Sequence, residues 1–563
     1  MKVSSAAAAA VCAQRSPSLR ARGAALGRGL AWLVVWLACA AAAAAQGLPS
    51  FAELEAAGAR IGEIRIVPRN IFDTADPKED KALFRLANAL HIVTRPEVIR
   101  SALLFAPGEP VSARLIEETE RALRTRRQFQ DVQIRPLAVR EGVVVDVEVL
   151  TRDTWTLEPR LSLGREGGVN DGAIGLSEYN LLGRGLSVGV VRASTVDRVR
   201  TEFGLSGERV LGTEASFALS SASASDGRSR GVTLAQPFDQ LDARRAMGVS
   251  YADDDRIDAV WRSGEPAGRY RYRVRRAEAH AGWSAGLVKG WTRRYTVGVL
   301  ALDESRAALP GLAAPAVLPA DQTLVLPFMR LELLEDRYER RFNHDLVGRP
   351  EFFALGLGAR LQLGHASPAT GSTRSALSHE ASLGRGFPLE DGSTLLGSVR
   401  LDGEFSEGAV RRQQFGLAVR YYRPQGSRRL FYAGAAWDRL TRPDVATELL
   451  LGGDNGLRGY PLRHQSGTRR ALFTVEQRFY TDLYLWELFR IGGAAFADLG
   501  RAWGGGAGAV GRVPWRADVG AGLRIVSVRS GFGNVLHIDL ALPVDAPAGV
   551  RRLQWLVRTK ASF

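Results

Sequence analysis

What most limits the fold of this chain is an alternation that sets in at residue 156 and runs to residue 563. Segments of roughly ten residues alternate apolar and polar and are broken by Gly, Asp, Pro or Ser, among them 291–300, 324–334, 353–363, 395–405 and 415–422. A period of two is that of a β-strand, whose successive side chains point to opposite faces. In the last segment Leu553, Trp555, Val557, Thr559, Ala561 and Phe563 share one face, and Gln554, Leu556, Arg558, Lys560 and Ser562 the other. One face suits lipid and the other water. A soluble sandwich also alternates, but over shorter stretches and without aromatics at both ends of its segments. After Gln46 no run of 18 apolar residues occurs, so membrane-spanning helices are excluded. A barrel strand crosses a bilayer in about 9–11 residues, apolar outward and polar inward. We therefore expect a transmembrane antiparallel β-barrel over 156–563. At that strand length, 16 strands place about 160 residues in the membrane, and 16 is the count we expect.

The chain before the barrel divides in three. Residues 1–45 carry Lys2, Arg15, Arg20, Arg22 and Arg28 with no acid, then an apolar run from Leu30 to Leu37 and a polyalanine tail. That is the pattern of a secretory signal peptide, too short in its apolar core to span as a helix. A short segment, 46–59, follows. Residues 60–153 read as a small α+β domain of order β-α-α-β-β. Its first strand covers 61–67. Thr94 and Glu97 form a capping box that opens a short helix, and Ser112 caps a second helix in which Leu115, Ile116, Thr119, Ala122 and Leu123 share a stripe. Two strands then run through Val132 and Ile134 and through Val143, Val145, Val147 and Val149.

Composition removes several functions. Both cysteines, Cys12 and Cys39, fall in the leader, so the remainder has no disulfide or thiolate chemistry. Without the five basic residues of the leader, 70 Lys and Arg face 60 Asp and Glu, a formal +10 spread along the chain, which is no nucleic-acid patch. The seven histidines form no metal-ligand spacing. Gly185, Ser187 and Gly189 match a nucleophile elbow, but the match lies inside a strand pattern and not at a strand-to-helix turn. No cofactor, metal or catalytic residue is expected, and the chain reads as a non-enzyme.

The stretch LGGDNGLRGYPLRHQSG, 451–467, holds an arginine and a tyrosine among five glycines, between two strand patterns. Its Leu457, Arg458, Gly459 and Tyr460 resemble the V/L-R-G-F/Y motif of the outer-membrane assembly and secretion superfamily that includes BamA, TamA and the two-partner-secretion transporters. Phe496, Asp498 and Gly500 resemble that family's F-x-D-x-G strand motif. Glu178, Asn180, Gly183 and Gly185 are similar to its early barrel turn, and the surface-antigen branch carries such a barrel. The 60–153 domain resembles a single POTRA domain, and Phe563 the terminal signal of outer-membrane barrels.

The arginine also has a physical reading. Alternation turns Phe496, Asp498 and Gly500 to one face with Ala495, Ala497 and Leu499 toward lipid, and turns Glu476 to the same lumen parity. A guanidinium inside a barrel keeps its charge and needs carboxylates. We expect Arg458 to bind Asp498, with Glu476 nearby and glycines 452, 453, 456 and 459 letting the loop fold back against the wall by positive φ and close approach.

The resemblance implies an outer-membrane protein that inserts or translocates other proteins, with its 60–153 domain in the periplasm. Its partners would be the bilayer, unfolded clients and periplasmic accessory proteins. A client strand could add to a sheet edge at Asp131, Val132, Gln133, Ile134 and Arg135. Alternatives are a transporter secreting one partner, a barrel lipid hydrolase and a passive porin. Pro159 in the first barrel strand lacks an N–H for the closing ladder, so we expect a lateral gate between 156–164 and 553–563.

Overall fold

The computed structural model describes residues 48–563 except 263–264, 312, 314, 316, 349, 445–446, 487, 505–512, 528–534 and 561–563. The leader expected over 1–45 and the terminal Phe563 lie outside the described residues.

Ahead of the barrel come α1 (Phe51–Ala56), β1 (Arg60–Arg69), α2 (Ala82–Leu90), α3 (Pro96–Arg100), α4 (Ala113–Thr125), β2 (Phe129–Arg140) and β3 (Val144–Asp153). The sheet order is β1-β3-β2, with β3 parallel to β1 and antiparallel to β2. Because β3 lies in the middle, its Val145, Val147 and Val149 are fully buried, under Ile99, Ile116 and Leu123 of the helices. The expected order β-α-α-β-β is wrong, and a POTRA domain is not evident in this α-β-α-α-α-β-β unit. Two helices are added, α1 ahead of β1 and α2 between β1 and α3. Ser50 and Glu53 close a capping box that starts α1, and α2 forms because Phe84 stacks on Phe72, ring centroids 4.0 Å apart. The expected caps also differ. Thr94 spends its hydroxyl and N–H on Asp153 Oδ2, at 2.9 and 2.7 Å, and Ser112 makes no side-chain cap.

Twenty strands close the barrel, from Leu157–Glu166 to Gln554–Lys560, each beside its neighbour in sequence. The count of 16 is therefore overturned. Most connections on the side of the α+β unit are short, such as Lys289 and Gly290 between the strands Glu265–Val288 and Trp291–Ala308, segment 336–357 being the long exception. Residues budgeted for loops are spent on extra strands. Closure gives every strand two neighbours, most thinly where the last strand meets the first, and an even count returns the chain to the side it started from. Outside, Leu161, Ile174, Leu176, Met247, Val249, Met329, Leu540 and Trp555 are all exposed. A belt of this kind requires hydrocarbon as solvent.

The α+β unit docks on one mouth. Leu241 N donates to Glu118 Oε1 (2.9 Å), Arg209 Nη1 to the Ser101 carbonyl (2.6 Å) and Asn180 Nδ2 to Thr94 Oγ1 (2.9 Å), and Arg114 pairs with Asp242. Barrel diameter grows with strand number, so 20 strands enclose a wide lumen. Two connections turn inward and fill it. Segment 336–357, with the hairpin Tyr338–Phe342 and Pro350–Ala354, enters from the docked side, and segment 442–468, with the hairpin Leu449–Leu451 and Gln465–Gly467, enters from the far side.

Candidate functional site: a lumen closed by two segments

In the strand Arg469–Leu485 the buried positions within 474–480 are Glu476, Arg478 and Tyr480, and in Phe489–Trp503 the buried positions are Gly492, Ala494, Phe496, Asp498, Gly500 and Ala502. The two strands pair Thr474 with Asp498 and Glu476 with Phe496, so both carboxylates stand on neighbouring lumen positions. Arg458 comes down onto them from the far-side segment. Its Nε and Nη2 donate to the two Asp498 oxygens (2.6 and 2.8 Å), Nη1 donates to Glu476 Oε1 (2.8 Å), and the guanidinium lies 3.4 Å from the Phe496 ring centroid. Thr474 Oγ1 adds a hydrogen bond to Asp498 Oδ1 at 2.8 Å. The arginine side chain is 4% exposed and the two carboxylates 1% and 8%. Burying three charges costs several kcal/mol per ion, which only a fork-on-fork geometry of this kind offsets.

The backbone around Arg458 is shaped for close approach. Gly456 is the one loop glycine of the expected four with a left-handed φ, 141°. A Cβ there would meet Leu472 Cδ2 at 2.3 Å, and one on Gly459 would meet Asp518 Cβ at 2.7 Å. Glycines 452 and 453 act through close contact with the returning strand of the loop, at Pro461 and Tyr460, and not through positive φ. Leu457 and Tyr460 are fully buried, and the tyrosine hydroxyl donates to the carbonyls of Asp545 (2.8 Å) and Ala517 (3.1 Å). The loop then crosses the mouth. Leu462 N donates to the Gly167 carbonyl (3.3 Å), and Arg463 makes a two-pronged pair with Asp197 (3.0 and 2.7 Å) over the Trp261 ring.

The second plug meets the first through residues that the motif did not include. Arg478 Nε donates to Glu476 Oε2 (3.0 Å), its Nη1 donates to the His344 carbonyl (2.7 Å), and Asp345 lies 3.7 Å away. Thus Asp498, Arg458, Glu476, Arg478 and the tip of the docked-side hairpin form one chain of ionic contacts across the lumen. Tyr422, Tyr480, Phe353, Leu355 and Leu430 pack beneath that tip, and His344 meets Phe353 edge-on at 5.1 Å and stacks on Tyr422 at 5.3 Å. Arg478 was open to detection from the sequence, since it shares the parity of Glu476 two positions on. His344 and Asp345 were not, because segment 336–357 carries no motif that marks it as turning inward.

The other expected residues fall as follows. Asp131 to Arg135 lie in β2, an edge of its sheet. Val132 and Ile134 point into the core, Arg135 pairs with Glu148, and Arg124 of α4 holds both Asp131 and the Val132 carbonyl. That clip occupies part of the edge. Asn180 Oδ1 accepts from Gly185 N (2.8 Å) in a turn where Gly183 and Gly185 have φ of 71° and 67°. Ser187 lies in the strand Leu186–Ser194. Among the described residues no group of three or more His, Cys, Asp or Glu is placed to hold a metal.

At the seam, the last strand Gln554–Lys560 and the first strand Leu157–Glu166 share a single registered pair among the described residues, Val557 with Arg165. The first strand makes ten such pairs with its other neighbour and the last strand seven. Side chains clasp the seam instead. Arg558 Nη1 reaches Glu166 Oε1 at 3.3 Å, and the Arg165 guanidinium lies 5.5 Å from the Trp555 ring.

No family model and no curated protein matches the chain. Among solved structures it is similar to CdiB from Escherichia coli, at 14% identity and a TM-score of 0.47 over 90% of this chain and 77% of that one. It is similar to CdiB from Acinetobacter baumannii at 12% identity and 0.44, over 89% and 73%. BamA from Haemophilus ducreyi lacking POTRA domains 1-3 follows at 12% and 0.38, over 89% and 85%. All three TM-scores lie below 0.5. On its own geometry the chain is a 20-stranded transmembrane barrel, plugged from both ends, with an α+β unit on one mouth.

Proposed function

We propose that this protein inserts or translocates other proteins at the bacterial outer membrane, with residues 60–153 as its periplasmic domain and no covalent chemistry of its own. The observation that carries the reading is the seam: among the described residues one registered backbone pair joins the first and last strands, where the flanking ladders hold ten and seven. An underpaired seam is the cheapest place to part the wall, and each parted edge offers N–H and C=O groups to a client strand. The Arg458 loop and the docked-side hairpin keep the lumen shut meanwhile. Two plugs tied to each other disfavour a passive porin, which needs an open channel. Beside the mouth, the edge of β2 is a first station for an extended client once Arg124 releases the Val132 carbonyl.

The test compares the outer-membrane proteome with and without the protein. Depletion of several barrels supports insertion, and loss of one secreted protein supports secretion. An unchanged proteome sinks both.

A further inference from the structure

Helix α2 presents two apolar faces. One is accounted for: Phe84 joins Ile71 and Phe72 in a cluster packed on Trp155, just before the first barrel strand, and on Leu488, in a docked-side connection. Asn88 locks the helix there, its amide donating to the Phe72 carbonyl (2.8 Å) and accepting from Phe72 N (3.0 Å). The other face carries Leu83, Leu86 and Leu90, followed by Ile92, exposed by 63, 55, 66 and 52%. Positions 83, 86 and 90 fall on one helical stripe. Single exposed leucines are ordinary, but a stripe of them on one short helix marks a surface that something covers.

The cover is indicated by what lies alongside. Leu483, Tyr484, Leu485 and Trp486, which lead into Leu488, are all exposed, as is Leu182 in the first docked-side turn, where a Cβ on Gly183 would meet the Val93 carbonyl at 2.6 Å. The helix is thus pinned at the barrel rim between two exposed apolar turns, where the lipid belt ends. Tryptophan and tyrosine at such a rim are the usual anchors of a barrel in the headgroup layer.

We propose that α2 is a foot in the membrane surface: it lies beside the barrel with Leu83, Leu86, Leu90 and Ile92 in the acyl boundary of the leaflet on the docked side. Its partner is phospholipid. Asp73, Asp76, Glu79 and Asp80 stand against Lys78, Lys81 and Arg85, so the segment has no net attraction for anionic headgroups. Apolar burial drives the insertion. The foot fixes the tilt of the α+β unit, and with it the direction in which the β2 edge faces the seam.

The test uses the full protein carrying Leu86→Cys or Leu90→Cys, with Cys12 and Cys39 both in the expected leader and Val143→Cys, in the exposed β2–β3 turn, as the reference. Each is labelled with an environment-sensitive dye and placed in phosphatidylcholine nanodiscs, with heat-modifiable mobility confirming the barrel. Labels at 86 and 90 should emit to the blue of the label at 143, be quenched by lipid brominated on its acyl chains, and be shielded from iodide. Adding phosphatidylglycerol should change none of this. Quenching by iodide but not by bromolipid, or protection from both as under a protein partner, overturns the proposal.

Discussion

Arg458 carries its charge to a place where water cannot serve it, and each of its donors on Nε, Nη1 and Nη2 has a carboxylate oxygen within 2.8 Å. Removing the guanidinium leaves Asp498 with the Thr474 hydroxyl and the facing Asp518, a second carboxyl, while Glu476 keeps Arg478. Breaking a buried pair by removing one partner costs about 3–5 kcal/mol. Arg458→Ala should therefore free the 442–468 segment: proteolysis within it should speed up while the barrel remains heat-modifiable. Arg458→Ala with Asp498→Asn should recover part of the protection, because the stranded charge is gone. Arg458→Lys should recover little, since an ammonium cannot span both Asp498 oxygens and lie flat on Phe496. A loop equally protected in all three variants would show that Tyr460 and Leu457 hold it unaided.

At the scale of elements, the docked-side hairpin and the seam each allow a measurement. Within the hairpin, the Glu351 carboxylate accepts from His344 N and Asp345 N at 2.8 Å each, and burial pushes it up to about 7 from an ordinary 4.5. A raised carboxyl binds its proton in the folded state first, so its contribution grows as pH falls from about 7 toward 4.5. Burial depresses His344 below its ordinary 6.5, so the unfolded hairpin binds that proton first, and stability is lost as pH falls below 6.5. The two signs oppose. Glu351→Gln leaves only the histidine, and conductance through the barrel should then rise on acidification. His344→Gln leaves only the carboxyl, and conductance should rise toward pH 8. Identical pH profiles in both variants would count against a hairpin plug. At the seam, Arg165 and Val557 face each other in register, and directly opposed antiparallel residues have Cα atoms about 4.5–5.5 Å apart, within disulfide range. Arg165→Cys with Val557→Cys should form a disulfide and block client handling until reductant is added. Full activity with the seam quantitatively bridged would exclude lateral opening and favour passage through the lumen.

For the whole molecule, the ionic chain from Asp498 to His344 means that the two plugs do not move independently. Glu476 is the shared member, bonded to Arg458 through one oxygen and to Arg478 through the other. Glu476→Gln should loosen both segments at once, giving a larger conductance than Arg458→Ala gives alone. An increase confined to the Arg458 side would show two separate gates. The sequence by itself determined the barrel class, because a period of two held for 400 residues is a local property of the chain. It determined the lumen parity of Asp498, Glu476 and Phe496 for the same reason. It did not determine the strand count, since 16 and 20 strands differ only in how residues are shared between strands and loops, which closure of the barrel decides. It gave no sign of α2 as a separate element, which exists because Phe84 finds Phe72, Trp155 and Leu488. Only the tertiary structure decided that segment 336–357 turns inward as well and meets the Arg458 loop, because a wide lumen leaves space that apolar and ionic side chains fill from whichever loop can reach it.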